Sequence, residues 1–313
     1  MLATTARRTF FTPLFSNLIT TSSPQLNAPR SFSSEKKKEP KEALVQSSTI
    51  DNVTVLTLNN PKKYNGWTTP MMMALSENLK AAASNPNSKV TILTGADPYY
   101  CAGVDLSGTL KPMAPSKLKE TIACTNQAVF DQFLDFPKPI IVAVNGPAIG
   151  AAVTTATLCD AIVASEKASF NTPFTRLGVP PEGCSSIHFE FLMGKVNAER
   201  MLGVEGWVPS GKEAVEVGLI TKCVPHEELL NEAKKLAKEW VKEGKTGRKH
   251  MGFTDTTLMK ATNKQESLDL AEVFLSEKFL AVQAAFLGSK GKTGPAMIFK
   301  SLVATRFIWS KFV

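Results

Sequence analysis

Between residues 52 and 164 the spacing of apolar and polar positions changes repeatedly, and each change marks an element. Asn52–Leu58 (NVTVLTL) alternates with period two and is β-branched, which predicts a strand. Lys89–Thr94 (KVTILT) predicts a second, closed by Gly95-Ala96-Asp97-Pro98. Pro139–Val144 is apolar throughout and reads as a buried strand stopped by Asn145-Gly146-Pro147; Ala161–Ala164 reads as another. Helical spacing fills the gaps, in Met71–Ala83, in Lys117–Phe136 and in the small-residue stretch Ala151–Leu158. Strands alternating with helices predict an α/β architecture. After Gly194 the chain turns helical, with apolar stripes in Glu227–Glu243 and Gln265–Leu287 and an apolar, basic tail at Ala296–Val313. The expected plan is an α/β core over 48–200 and a helical C-terminal region over 201–313. Gln265–Leu287 is apolar on more than one face, so it needs a second partner. That partner is either the tail folded back or a neighbouring subunit.

The first 34 residues change the picture. They hold Arg7, Arg8 and Arg30, are rich in Ser and Thr, and contain no acid. Those features predict a mitochondrial transit peptide and a matrix location, with cleavage near Arg30-Ser31-Phe32-Ser33. A plastid address is the main rival. Ser310-Lys311-Phe312-Val313 is not the Ser-Lys-Leu peroxisomal signal, the other alternative. Residues 35–47, opening EKKKEPKE, read as a charged linker. The net charge is +8, of which the leader supplies three, leaving +5 for the rest. That excess suits an anionic small ligand and gives no support to nucleic-acid binding. No apolar run is long enough to span a bilayer. The five cysteines (Cys101, Cys124, Cys159, Cys184, Cys223) form no CxxC pair, and His188, His226 and His250 lie far apart. No metal site or redox dithiol is expected.

Three segments carry candidate chemistry. Tyr99-Tyr100-Cys101-Ala102-Gly103-Val104-Asp105-Leu106 follows a strand, and its small residues allow close backbone approach to a ligand. Asn145-Gly146-Pro147-Ala148-Ile149-Gly150-Ala151-Ala152 opens a helix, whose first N–H groups lack internal partners and suit a developing oxyanion. Each of these also reads as an ordinary turn or as tight helix–sheet packing. The third is Asn171-Thr172-Pro173-Phe174 running on through Pro180-Pro181-Glu182-Gly183. Glu182 has few charged neighbours in sequence, and a carboxylate in an apolar pocket becomes a usable base. Taken alone, an acid in such a turn is more often a solvated loop residue.

Together, in this order and spacing, the segments resemble the crotonase (enoyl-CoA hydratase/isomerase) superfamily over residues 48–290. Asn60-Pro61-Lys62-Lys63-Tyr64-Asn65 and Cys159-Asp160 belong to the same pattern. The resemblance implies a core of repeated ββα turns with C-terminal helices that form a homotrimer or hexamer. It implies an oxyanion hole from the backbone N–H groups of Val104 and Ala151. Acyl-CoA binding would involve Lys62, Lys63, Tyr64, Ala102, Gly103, Asp105, Leu106, Gly150 and Phe174. The two glutamates with which hydratases of this family add water fall here on Thr154 and Phe174. Glu182 within Pro-Pro-Glu-Gly resembles instead the single acid/base of peroxisomal-type Δ3,Δ2-enoyl-CoA isomerases, moving the double bond of a 3-enoyl-CoA to the 2-trans position in fatty acid β-oxidation. Gly66-Trp67 departs from the family where small residues usually follow the coenzyme A loop. The expected reaction needs no cofactor beyond the coenzyme A of the substrate. The alternatives are a dienoyl-CoA isomerase, a hydratase, a thioesterase, or a non-catalytic binding protein of the same fold.

Overall fold

The computed structural model describes residues 42–105 and 113–312. The leader, most of the linker and Leu106 lie outside them. The described chain opens with a hairpin of β1 (Val45–Ile50) and β2 (Val53–Leu58). Its two turn residues, Asp51 and Asn52, both sit in the left-handed region (φ 52° and 64°), which matches the twist of the strands it joins. Helix α1 (Thr69–Ser84) follows, its N-terminus capped by the Thr68 hydroxyl, which accepts the Met71 N–H. Next come β3 (Val90–Gly95), α2 (Pro115–Leu134), β4 (Ile140–Val144), β5 (Ala148–Ile149) and α3 (Ala151–Thr157). Then β6 (Ala161–Ser165), β7 (Phe170–Asn171) and the short α4 (Phe174–Leu177) lead to α5 (Ser185–Leu202). The chain continues through α6 (Gly211–Glu216), β8 (Lys222–Val224), α7 (Leu229–Lys242), α8 (Thr256–Phe274), α9 (Glu277–Ser289), α10 (Thr293–Ala304) and α11 (Arg306–Trp309).

Six strands form the main sheet in the order β1-β2-β3-β4-β6-β8, parallel throughout except for the β1–β2 hairpin. Side chains alternate between its faces. On β4, Ile140, Val142 and Val144 join the central core with α1 and α2, while Ile141 and Ala143 face the other way. There they meet Leu229, Ala233 and Ala237 of α7. Both faces are covered, as a parallel sheet requires. A second, smaller layer is built from β5 and β7, also parallel. Isolated pairs extend it, Cys101 with Ala148 and Ser169 with Ser210, and a further pair joins Trp67 with Val104. After β3, β4 and β6 alike, the chain leaves the main sheet, touches this layer, and then enters a helix. That repetition is the ββα turn expected from the family resemblance.

Two boundaries differ from the expected ones. The sheet gains β1 before residue 48 and β8 after residue 200, so it draws on residues 45–224. Of β1 only Val45 is buried, so this edge strand carries no apolar alternation to read. The predicted helix Gln265–Leu287 is two helices. Ser276 ends the run, because its hydroxyl accepts the Phe279 N–H (3.2 Å) and caps α9. Apolar residues continue across the break and hide it from a periodicity reading. Much of their surplus surface is covered within the chain: Ala296 and Phe299 of α10 and Trp309 of α11 join a cluster with Leu280, Ala284 and Leu287.

Candidate active site

A cavity of about 180 Å³ lies between α2, α8 and the two loops that enter the second layer. Its wall is almost wholly apolar, with Met72, Leu118, Ile122, Val129, Leu270 and Phe274 among the lining residues. Glu182 is the one acidic side chain lining it among the described residues.

One loop contributes Ala102, Gly103 and Val104, and the other Ile149, Gly150 and Ala151. The two are locked together by parallel pairing at Cys101 and Ala148, through Cys101 N–H to Pro147 O (3.3 Å) and Ile149 N–H to Cys101 O (3.0 Å). Val104 and Ala151 each stand three residues past that pair. Neither N–H has an acceptor among the described residues. Ala151 opens α3, where no earlier turn exists to take its hydrogen. Gly103 (φ 80°) permits the close approach, since a Cβ there would stand 2.6 Å from Ile149 O.

Glu182 precedes α5 in a tight turn. Its carbonyl accepts the Ser185 hydroxyl (2.8 Å), and Gly183 (φ 65°) packs where a Cβ would meet the Phe130 ring at 2.4 Å. Its carboxylate Oε2 accepts the Asn126 side-chain amide N–H at 2.7 Å. Burial raises the Glu182 pKa to about 7; the Asn126 hydrogen bond works against the rise, and the nearby Glu266 carboxylate adds to it. Glu266 projects from α8 onto the start of α5, accepting the Cys184 N–H (2.6 Å) and the Ser186 N–H (3.0 Å).

Of the residues singled out in the sequence, Ala102, Gly103, Val104, Gly150, Ala151, Phe174 and Glu182 all line this cavity. Lys62, Lys63, Tyr64 and Asp105 do not. Lys62 and Lys63 are exposed on a single 3-10 turn, and Tyr64 follows it. That turn adjoins the first loop, because Tyr64 O accepts the Ala102 N–H (2.9 Å). Thr154 is fully buried and Phe174 is part of the apolar wall. Cys159-Asp160 lies outside the cavity. The Asp160 carboxylate makes a buried ion pair with Arg248 (2.6 Å) and accepts the Ile140 N–H (2.8 Å), which is a structural role. Asp97, His226 and Ser165 form a hydrogen-bonded chain like a hydrolytic triad, at 3.1 and 3.0 Å. Ser165 is fully buried and does not line the cavity, so no acyl group can reach its hydroxyl.

Asn126 was missed. Its signal was present: Leu118, Ile122 and Phe130 recur at steps of four or eight along α2, and Asn126 is the polar member of that stripe.

The family profile described as enoyl-CoA hydratase/isomerase matches residues 48–284. The chain belongs to this family. Within the enoyl-CoA hydratase/isomerase family, the chain is 37% identical over 194 residues to "Enoyl-CoA delta isomerase 3, peroxisomal" of Mus musculus, 61% of this chain and 59% of that protein. It is 33% identical over 292 residues to "Enoyl-CoA delta isomerase 2" of Homo sapiens, 88% of this chain and 71% of the relative. The match to the Mus musculus protein thus spans under two thirds of that relative's length. Among solved structures, an enoyl-CoA hydratase/isomerase from Pseudoalteromonas atlantica superposes with a TM-score of 0.65 at 26% identity, covering 79% of this chain and 97% of that one. The crotonase fold and the family resemblance expected from the sequence are both borne out.

Proposed function

We propose that the protein is a Δ3,Δ2-enoyl-CoA isomerase in which Glu182 is the sole acid/base. The observation that carries this reading is a carboxylate, the one lining the cavity among the described residues, with its pKa raised to about 7, beside two backbone N–H groups that have no acceptor among those residues. A 3-enoyl thioester placed with its carbonyl oxygen on the Val104 and Ala151 N–H groups loses a C2 proton to Glu182. The electron pair left behind delocalises through the double bond onto the thioester oxygen, giving a dienolate. Each N–H stabilises that oxygen by roughly 3 kcal/mol. Glu182 then returns the same proton at C4, the double bond settles between C2 and C3, and the carboxylate is regenerated. The apolar wall keeps Glu182 basic and excludes the water that would attack C3. Thr154 and Phe174 offer no carboxylate with which to activate such water. The exposed Lys62 and Lys63, beside the first loop, suit the phosphates of the coenzyme A carrier. No metal or redox cofactor enters this scheme.

The test is an assay of the purified protein with 3-hexenoyl-CoA and with 2-hexenoyl-CoA. Formation of the conjugated enoyl thioester from the first, with little loss of it from the second, is the expected result. Rapid consumption of 2-hexenoyl-CoA would identify a hydratase instead, and release of free thiol a thioesterase. Inertness toward both would indicate a binding protein.

A further inference from the structure

Asn126 touches Glu182 on one side and Ser267 of α8 on the other. Ser267 is fully buried and does not line the cavity, so it cannot touch substrate. Its Oγ lies 2.8 Å from Asn126 Oδ1 and 2.7 Å from the Asn263 carbonyl one turn back. A hydroxyl has one hydrogen, so it can serve only one of these acceptors at a time. The two choices correspond to the two protonation states that Glu182 must occupy in the proposed reaction.

With Glu182 ionised, the Ser267 hydroxyl donates to Asn126 Oδ1, which turns the amide N–H toward the carboxylate, as observed at 2.7 Å. With Glu182 protonated, its O–H needs an acceptor. Turning the amide over supplies Oδ1 to it and presents the N–H to Ser267, whose hydrogen then goes to the Asn263 carbonyl. The Glu182 carboxyl, Asn126 Oδ1 and the Ser267 hydroxyl each keep a partner in both states, and no proton enters or leaves this relay. The charged state gains more from the aligned dipoles, because a hydrogen bond to an ion is stronger and each link polarises the next.

We propose that Ser267 is a positioning residue that sets the acid–base balance of Glu182 through Asn126. This rests on the role assigned to Glu182 above. The other ionisable groups around Glu182 keep their own partners without Ser267. Glu266 holds the Cys184 and Ser186 N–H groups, Asp131 of α2 holds the Asn263 side-chain amide (2.8 Å), and the Cys184 thiol donates to Met259 O (3.1 Å).

Removing the hydroxyl in Ser267→Ala should move the acidic limb of kcat/KM for 3-hexenoyl-CoA upward by about half a pH unit or more. KM should stay nearly unchanged. Ser267→Cys keeps the shape with a feeble donor and should shift the limb in the same direction. Ser267→Thr, which keeps the hydroxyl, should restore it. Infrared titration of the Glu182 carboxyl band, identified by its loss in Glu182→Gln, should show the same shift without reference to turnover. A limb and band unmoved in both Ser267→Ala and Ser267→Cys would overturn the proposal. A band that shifts while Glu182→Gln remains active would instead leave the relay standing and refute the assignment of Glu182 as the acid/base.

Discussion

The burial that makes Glu182 basic also destabilises the fold that holds it. Its pKa rises from 4.5 to about 7, so the native state holds this proton more tightly than the unfolded chain. The stability this contributes is complete below pH 4.5 and is lost as the pH rises through 7. His188 works the other way: burial lowers its pKa from 6.5 to about 4, so its contribution is present above 6.5 and lost as the pH falls through 4. The two slopes oppose each other between pH 4.5 and 6.5, which makes the parent protein alone a poor probe. Glu182→Gln isolates one of them. Urea melts at pH 5 and pH 8 should show the variant gaining stability relative to the parent at the higher pH. The same variant should fall below about a tenth of the parent kcat toward 3-hexenoyl-CoA, since an amide cannot accept the proton. The parent kcat/KM should lose activity below about pH 7, as the carboxylate is protonated. Glu182 was legible in sequence as an acid amid Pro and Gly. Asn126 is marked only as the polar member of the apolar stripe on α2, and Ser267 not at all, because a polar residue on a helix reads as solvated until the packing partner is known.

Helix α5 begins against α8 through a borrowed carboxylate. Cys184 has no side-chain cap of its own (φ 65°), and Glu266 takes the N–H groups of Cys184 and Ser186 instead. A helix start with one buried and one part-buried donor left orphaned costs on the order of 2 kcal/mol. Glu266→Ala should therefore lower the urea-derived stability by about that amount, and loosening the turn that carries Glu182 should reduce kcat as well. Full stability in Glu266→Ala would contradict this account. Elements with a clear apolar pattern, the buried runs of β3 and β4 and the helical spacing of α2, could be read directly from the chain. β1 could not, since only one of its residues is buried, nor could the α8–α9 break, where Ser276 interrupts an apolar run without changing its composition.

At the scale of the molecule, much of the surplus apolar surface of the C-terminal helices is covered by α10 and α11, which satisfies the self-covering alternative in part. Val282 and Phe286 of α9 stay about half exposed, and Phe307 and Ile308 of α11 are exposed too. Their residual exposure supports the proposed trimer or hexamer. Light scattering at micromolar concentration should give at least three times the monomer mass, and a clean monomer would refute it. The mitochondrial address remains a proposal, for which N-terminal sequencing of the native protein should find a start near Ser33. The pairing of Cys101 with Ala148 has one more consequence. It holds two main-chain N–H groups in place, so a substitution at Val104 or Ala151 deletes neither donor, proline excepted, although a larger side chain at Ala151 would have to fit into the buried core. On the proposed reaction, loss of the Glu182 carboxylate would leave both of these N–H groups in place. A descendant lacking that carboxylate would still inherit the paired donors.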